Sequence, residues 1–173
     1  MKANWQTTPH ETRISDAIPI ELLPISAGQT DRQALFALYQ SSLRDYIAQT
    51  FGWDDAFQQA RFNTSYRDAD FEWITQGKEI AGYLALGHEA QAVHVSLLIV
   101  KPEFRNRGMG RAVMRTIMSR ASQSNRSITL SCFLCNHDAV RFYESLGFQI
   151  EAKDEHFVTY RFPADGSGAP SAA

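Results

Sequence analysis

Residues 93–111 read Val-His-Val-Ser-Leu-Leu-Ile-Val-Lys-Pro-Glu-Phe-Arg-Asn-Arg-Gly-Met-Gly-Arg, and the reading of this stretch decides the architecture. The apolar, β-branched run from Val93 to Val100 suits a buried strand. Pro102 has no N–H to give to a ladder, so strand pairing should stop there. Gly108 and Gly110 allow positive φ or close approach of a ligand, at the point where the next helix presents its unbonded amides. Arg105, Arg107 and Arg111 lie beside those amides, so the turn is an anion site, and phosphate is the anion it suits.

Two familiar phosphate patterns do not fit. After Gly108 and Gly110 the third glycine of a dinucleotide fingerprint would fall on Val113, and no acid occurs between Glu103 and Asp138 to hold a ribose hydroxyl. The P-loop ending in Gly-Lys-Ser/Thr is also absent. A second distinctive stretch follows at 136–148, Asn-His-Asp-Ala-Val-Arg-Phe-Tyr-Glu-Ser-Leu-Gly-Phe. It places Ala139, Phe142, Tyr143 and Leu146 on one helical stripe, with Gly147 as the closing left-handed residue.

Working outward, 173 residues with 44% hydrophobic content suit one domain, expected at 18–163 between a loose polar leader (1–17) and a Gly/Ala/Ser/Pro-rich tail (164–173). A net charge of −2 argues against general nucleic-acid binding. The basic residues are uneven, however. From Lys101 to Arg126 there are seven of them (101, 105, 107, 111, 115, 120 and 126) against the single acid Glu103, a patch suited to a small polyanion. No apolar run approaches a membrane span and the first residues lack a signal-peptide core, so a cytoplasmic protein is expected. Cys132 and Cys135 read as small packing residues rather than a redox or zinc pair, and no metal site is expected.

In chain order, the spacing predicts an edge strand at 18–25 and a helix from about 31 to 49 capped by a box beginning at Thr30. A second helix capped by Asp54 should run to about 63. Strands at 71–75 and 79–87 should form a hairpin across Gln76-Gly77-Lys78, with 92–100 as the next antiparallel partner. A helix at 109–123, a strand at 128–135, the helix of the second stretch, and strands at 149–153 and 157–162 complete the chain.

The pattern Val100-x-Pro102-x-x-Arg105-x-x-Gly108-x-Gly110, followed by Asn136-x-x-Ala139-x-x-Phe142-Tyr143-Glu144-x-x-Gly147-Phe148, resembles the two signatures of the GCN5-related N-acetyltransferases (the GNAT superfamily), in the right order. The resemblance covers roughly 18–162. It implies an α/β (α+β) fold: a mixed, mostly antiparallel seven-stranded sheet with helices on both faces and splayed fourth and fifth strands. It also implies acetyl-CoA as cosubstrate. The pyrophosphate would rest on the turn from Arg105 through Asn106, Arg107, Gly108, Met109 and Gly110 to Arg111. The pantetheine arm would lie along the main chain of Leu98, Ile99 and Val100, and Asn136 and Phe142 would complete the cofactor side.

For chemistry, the resemblance makes Tyr143 the acid that protonates the leaving thiolate and the Leu98 amide an oxyanion donor. It puts His94 where members carry a glutamate, or sometimes a histidine, as general base. Ser96 shares the face of His94 if the strand is regular, and Glu72 acting through water is the competing base. In such proteins the acceptor is gripped by the first helices and last strands, so Tyr46, Phe51 and Trp53 are candidates there, with Asp54, Asp154, Glu155 and His156 behind them. The acceptor amine, on a small molecule or a protein, is left open, as is a homodimer. Two rival readings are a catalytically silent acyl-CoA sensor and a covalent route through Cys132 or Cys135.

Overall fold

The structure is a computed structural model that describes residues 19–26, 28 and 31–165. The expected leader, Ile18, Thr30 and residues 166–173 of the expected tail lie outside the described residues. The strands are β1 (Glu21–Pro24), β2 (Phe71–Gln76), β3 (Glu79–His88), β4 (Ala92–Val100), β5 (Ser127–Phe133), β6 (Gln149–Lys153) and β7 (Phe157–Phe162). The helices are α1 (Arg32–Phe51), α2 (Asp55–Ser65), α3 (Met109–Gln123) and α4 (His137–Ser145). The strands form one seven-stranded sheet in the order β1-β2-β3-β4-β5-β7-β6. Only the β4–β5 pair is parallel.

Helices cover both faces, because each brings one apolar stripe to the sheet. On one face Val113, Met114 and Ile117 of α3 and Tyr143 of α4 pack with Leu84, Val95 and Leu130. On the other, Leu35, Phe36 and Tyr39 of α1 and Phe62 of α2 pack with Tyr83, Leu97 and Ile99. Leu35, Tyr83, Val113 and Tyr160 are fully enclosed, and side chains buried like Leu35 or Val113 contribute about 1.5–3 kcal/mol each.

Local chemistry sets the element ends. α1 is capped by Asp31, whose carboxylate accepts from Ala34 N–H at 3.0 Å, one residue later than the cap expected at Thr30; a carboxylate there reaches the third amide as well as a hydroxyl does. Asp54 caps α2 as expected, accepting from Phe57 N–H at 2.7 Å. β5 stops at Phe133, two residues short of the expected Cys135. There Leu134 N–H turns to His156 O at 2.8 Å, and the chain must reach Asn136, which caps α4. β1 is an edge strand, as Pro19 and Pro24 require, though only Glu21–Pro24 is extended.

Two departures from regular pairing shape the centre of the sheet. First, the β3–β4 register shifts between Ala85 and Leu86, which face Leu97 and Val95, so Ser96 is an extra residue in β4. The bulge reverses the faces. Val93 and Val95 belong to the α3/α4 core and Leu97 and Ile99 to the α1/α2 core, so the strand is not regular here, yet a Cβ on Gly87 would meet both His94 Cβ at 3.5 Å and Ser96 Oγ at 4.0 Å, which keeps those two side chains on one side. Second, β5 follows β4 only from Ala92–Val95 against Ser127–Leu130. Beyond that point β4 stays with β3 as far as Val100, while β5 stays with β7 as far as Phe133.

Candidate active site where strands four and five part

Parting the strands leaves peptide groups without a ladder partner. Lys101 N–H donates to Ala81 O at 2.8 Å and Gly82 lies opposite Val100. The alternation of an antiparallel ladder then bonds Ile99 to Tyr83 and turns the N–H and C=O of Leu98 and Val100 toward the side that β5 has left. The Val100 carbonyl is partly committed, since Arg105 Nε donates to it at 2.7 Å. Among the described residues neither group of Leu98 has a ladder partner, and unpaired peptide groups in the middle of a sheet are costly unless something fills the gap.

A cavity of about 230 Å³ occupies this gap. Leu98, Ile99, Asn136, Tyr143 and Phe51, all expected at the site, line it together. The Asn136 Oδ1 is spent on the helix cap, accepting from Ala139 N–H at 3.1 Å; the amide nitrogen has no hydrogen bond among the described residues and is available as a donor. Tyr143 sits on α4 because the i, i+3, i+4 stripe turns it inward. Its ring packs on Phe142, Phe148 and Tyr160. Its hydroxyl forms no hydrogen bond among the described residues, and burial first, then the neighbouring Cys132, pushes its pKa well above the ordinary tyrosine value. The group therefore stays protonated and can donate.

The turn beyond β4 has the glycine-dependent backbone shape expected of it. Pro102 opens a single 3₁₀ turn (Pro102–Phe104), and Asn106 and Gly108 then take positive φ of 57° and 79°. Gly108 is the N-cap of α3. The first intrahelical bond runs from Ala112 N–H to Gly108 O at 3.0 Å, so the amides of Met109, Gly110 and Arg111 have no acceptor within the helix. A Cβ on Gly110 would stand 3.2 Å from Phe142 Cζ, so glycine there lets α4 close against the start of α3. Phe142 is thus a packing residue between the helices and is not part of the cavity lining. Arg107, Gly108, Arg111 and Arg115 line a second, open groove of about 630 Å³. The arginines also fasten the turn: Arg105 reaches Ser42 of α1 at 2.9 Å and Arg111 reaches Ser145 of α4 at 2.9 Å. Bare amides, a basic groove and a row of unpaired peptide groups fit an extended ligand with phosphates at one end and amide groups along its arm.

Other expected residues lie elsewhere. His94 is half-buried at the sealed end of the gap, with Nδ1 2.9 Å from Thr129 Oγ1; it stands beside Val95 but is outside the cavity lining. Glu72 is on β2, two strands away, and is held by Arg120 at 2.7 Å, which removes it as a nearby base. Tyr46 and Trp53 do not line the cavity; the Trp53 indole N–H donates to Asp55 at 2.9 Å and its ring carries Arg44. Asp154 is occupied by the β6–β7 turn, accepting from the His156 and Phe157 amides at 2.8 and 2.7 Å, while His156 stacks edge-on against Phe51. Cys132 lines the cavity, but burial, then the Glu144 carboxylate, pushes its thiol up to about 11. It is not a thiolate at neutral pH and so is a poor nucleophile. Cys135 lies against α1, near Thr50 and the Tyr46 carbonyl. Among the described residues no cluster of ligands could hold a metal ion, and no helix is long and apolar enough to cross a membrane.

Sequence reading missed the wall that α1 and α2 give the cavity, formed by Tyr39, Gln58, Arg61 and Tyr66. Gln58 and Arg61 are three apart on α2, so they share a side of the helix, but no motif marks them.

Comparison with known proteins agrees with this geometry. A family described as the acetyltransferase (GNAT) family matches residues 33–148. No curated protein matches the chain. The PaiA N-acetyltransferase of Thermoplasma acidophilum, solved in complex with coenzyme A, superposes with a TM-score of 0.66 at 16% identity, over 83% of this chain and 98% of that one. The ribosomal-protein-S18-alanine N-acetyltransferase of Escherichia coli gives 0.56 at 16% identity, over 84% and 94%. The Campylobacter jejuni N-acetyltransferase PseH, in complex with acetyl coenzyme A, gives 0.56 at 18%, over 84% and 99%. At these identities the likeness is one of fold.

Proposed function

Because the chain belongs to the acetyltransferase (GNAT) family, we propose that it moves an acetyl group from acetyl-CoA to a primary amine by direct transfer within a ternary complex. The observation that carries this reading is the gap between β4 and β5, with the peptide groups of Leu98 on one wall and the Tyr143 hydroxyl on the other, both without a hydrogen-bond partner among the described residues. Acetyl-CoA, when bound, supplies an acyl group activated as a thioester. The amides at the start of α3 and the arginines beside them hold its phosphates, and Leu98, Val100 and the Asn136 amide nitrogen hold its arm.

Each proton and charge then has a place. The Leu98 N–H donates to the acyl oxygen as negative charge develops there, in a cavity where water competes little. Tyr143, kept protonated by burial, gives its hydroxyl proton to the departing sulfur. No carboxylate or imidazole lines the cavity, so the amine's proton leaves through water. His94, oriented through Nδ1 by Thr129, collects it with its other ring nitrogen.

The test is an acceptor screen read by release of free coenzyme A, followed by initial rates with both substrates varied. Converging reciprocal plots with an acetylated amine as product support direct transfer. Parallel plots, as for a covalent acyl-enzyme, overturn it.

A further inference from the structure

The acceptor side of the cavity is rich in donors and lacks acids. Gln58 is 5% exposed and lines the cavity. Its Oε1 accepts from the Tyr39 hydroxyl at 3.3 Å, while its amide nitrogen has no partner among the described residues. Arg61, one helical turn further along α2, is exposed and lines the same wall. Arg32, Arg67, Arg120, Arg141 and Arg161 all pair with carboxylates. Arg61 has neither an ion pair nor a side-chain hydrogen bond among the described residues. The Tyr66 hydroxyl is likewise without a hydrogen bond among them. Burial, then Tyr39, pushes Tyr66 up to about 12, and the Arg61 charge acts against that rise; both residues line the cavity. No aspartate or glutamate lines the cavity.

An amide N–H₂, a guanidinium and a phenol line one space, the amide deeply buried and none of the three with a protein partner among the described residues, and together they suit a ligand that accepts. Water could satisfy one of them, but a planar anion satisfies the group, because the guanidinium fork matches a carboxylate in two bonds. Such a wall also repels an acceptor that carries further positive charge. At about 230 Å³, the cavity is smaller than the roughly 300–1,000 Å³ of drug-sized sites, and it must also admit the acyl end of the cosubstrate. The part of the acceptor that enters the cavity is therefore small.

Resting on the acetyltransferase reading above, we infer that the acceptor is a small amine that carries its own carboxylate, an amino acid, held by Arg61, Gln58 and Tyr66. Asp54, Asp154 and Glu155, which the sequence placed on the acceptor side, do not line the cavity.

The experiment compares free amino acids with their amides and with the matching amines that lack the carboxylate, all at saturating acetyl-CoA, in the wild type, Arg61→Ala, Arg61→Lys and Gln58→Leu. Thermal melts confirm that each variant is folded. In the wild type kcat/KM for acids should exceed that for amides at least tenfold, mostly through KM. Arg61→Ala should bring the ratio near one, Arg61→Lys should restore part of it, and Gln58→Leu should reduce it. Amides or polyamines turned over as well as acids, a preference for peptides over free amino acids, no turnover of any carboxylate-bearing amine, or an unchanged ratio in Arg61→Ala would each overturn the inference. Calorimetry on the wild type separates the two levels of the argument. Failure to bind acetyl-CoA overturns the acetyltransferase reading itself, and binding without the carboxylate preference overturns this inference alone.

Discussion

Replacing Tyr143 with phenylalanine removes one oxygen from the cavity wall and little else. The ring centroid lies 5.1 Å from that of Phe142, 5.7 Å from Phe148 and 6.1 Å from Tyr160, contacts that phenylalanine keeps. The hydroxyl forms no hydrogen bond among the described residues, so no partner is stranded by its loss and the fold should change by less than about 0.5 kcal/mol. The rate should respond very differently. A positioned proton donor contributes roughly 10²–10⁴-fold, which at 1.36 kcal/mol per decade is about 2.7–5.4 kcal/mol of barrier. The assay is kcat by coenzyme A release at saturating substrates, beside a thermal melt and a titration of acetyl-CoA binding. A fall in kcat of two orders or more, with the melt and binding unchanged, is expected. A kcat within twofold of the parent when chemistry limits turnover refutes the assignment. So does a large drop in melting temperature, which would make the hydroxyl structural.

His94→Gln keeps polarity and approximate size beside Thr129, and it should lose the acidic limb of the kcat–pH profile; an unchanged limb would show that water alone carries the amine's proton. Alkaline stability should also fall in a defined window. Burial, then Tyr39, raises Tyr66 from 10.0 to about 12, and burial raises Tyr83, Tyr143 and Tyr160 further. Above pH 10 the unfolded chain therefore holds fewer protons than the folded one. The contribution is fully present below the ordinary tyrosine value and is lost as pH rises through the folded value, with about 2.7 kcal/mol at stake for Tyr66 alone. Denaturant midpoints measured between pH 9 and 12 check this, and a flat series contradicts it.

Those parts of the site that depend on chain-local chemistry were readable from residue types. Pro102, Gly108 and Gly110 are backbone requirements, so they announced the turn and the Met109–Gln123 helix at its observed bounds. Gly147 likewise announced the end of α4, and it takes the expected positive φ of 88°. The bulge at Ser96 was hidden because the alternation Val93-His94-Val95-Ser96 runs into the apolar run Leu97–Val100, which fits either face of a sheet packed on both sides. The acceptor wall was hidden for another reason. Gln58, Arg61, Tyr39 and Tyr66 gain meaning only from the way α1 and α2 meet the sheet, and a polar residue on a helix reads as solvated until a cavity is found beneath it. Glu72 looked available because nothing in the sequence pairs it with Arg120, 48 residues away.

The central claim is that acetyl-CoA lies in the gap between β4 and β5 with its phosphates on the start of α3, and calorimetric titration of the wild type and Gly108→Asp tests it most directly. Aspartate at Gly108 adds a negative charge beside the proposed phosphate amides and forces a side chain onto a residue with φ 79°. The wild type should bind with one site per chain, and the folded variant should bind at least tenfold more weakly, ~1.4 kcal/mol. Equal affinity in a folded Gly108→Asp protein would contradict the account.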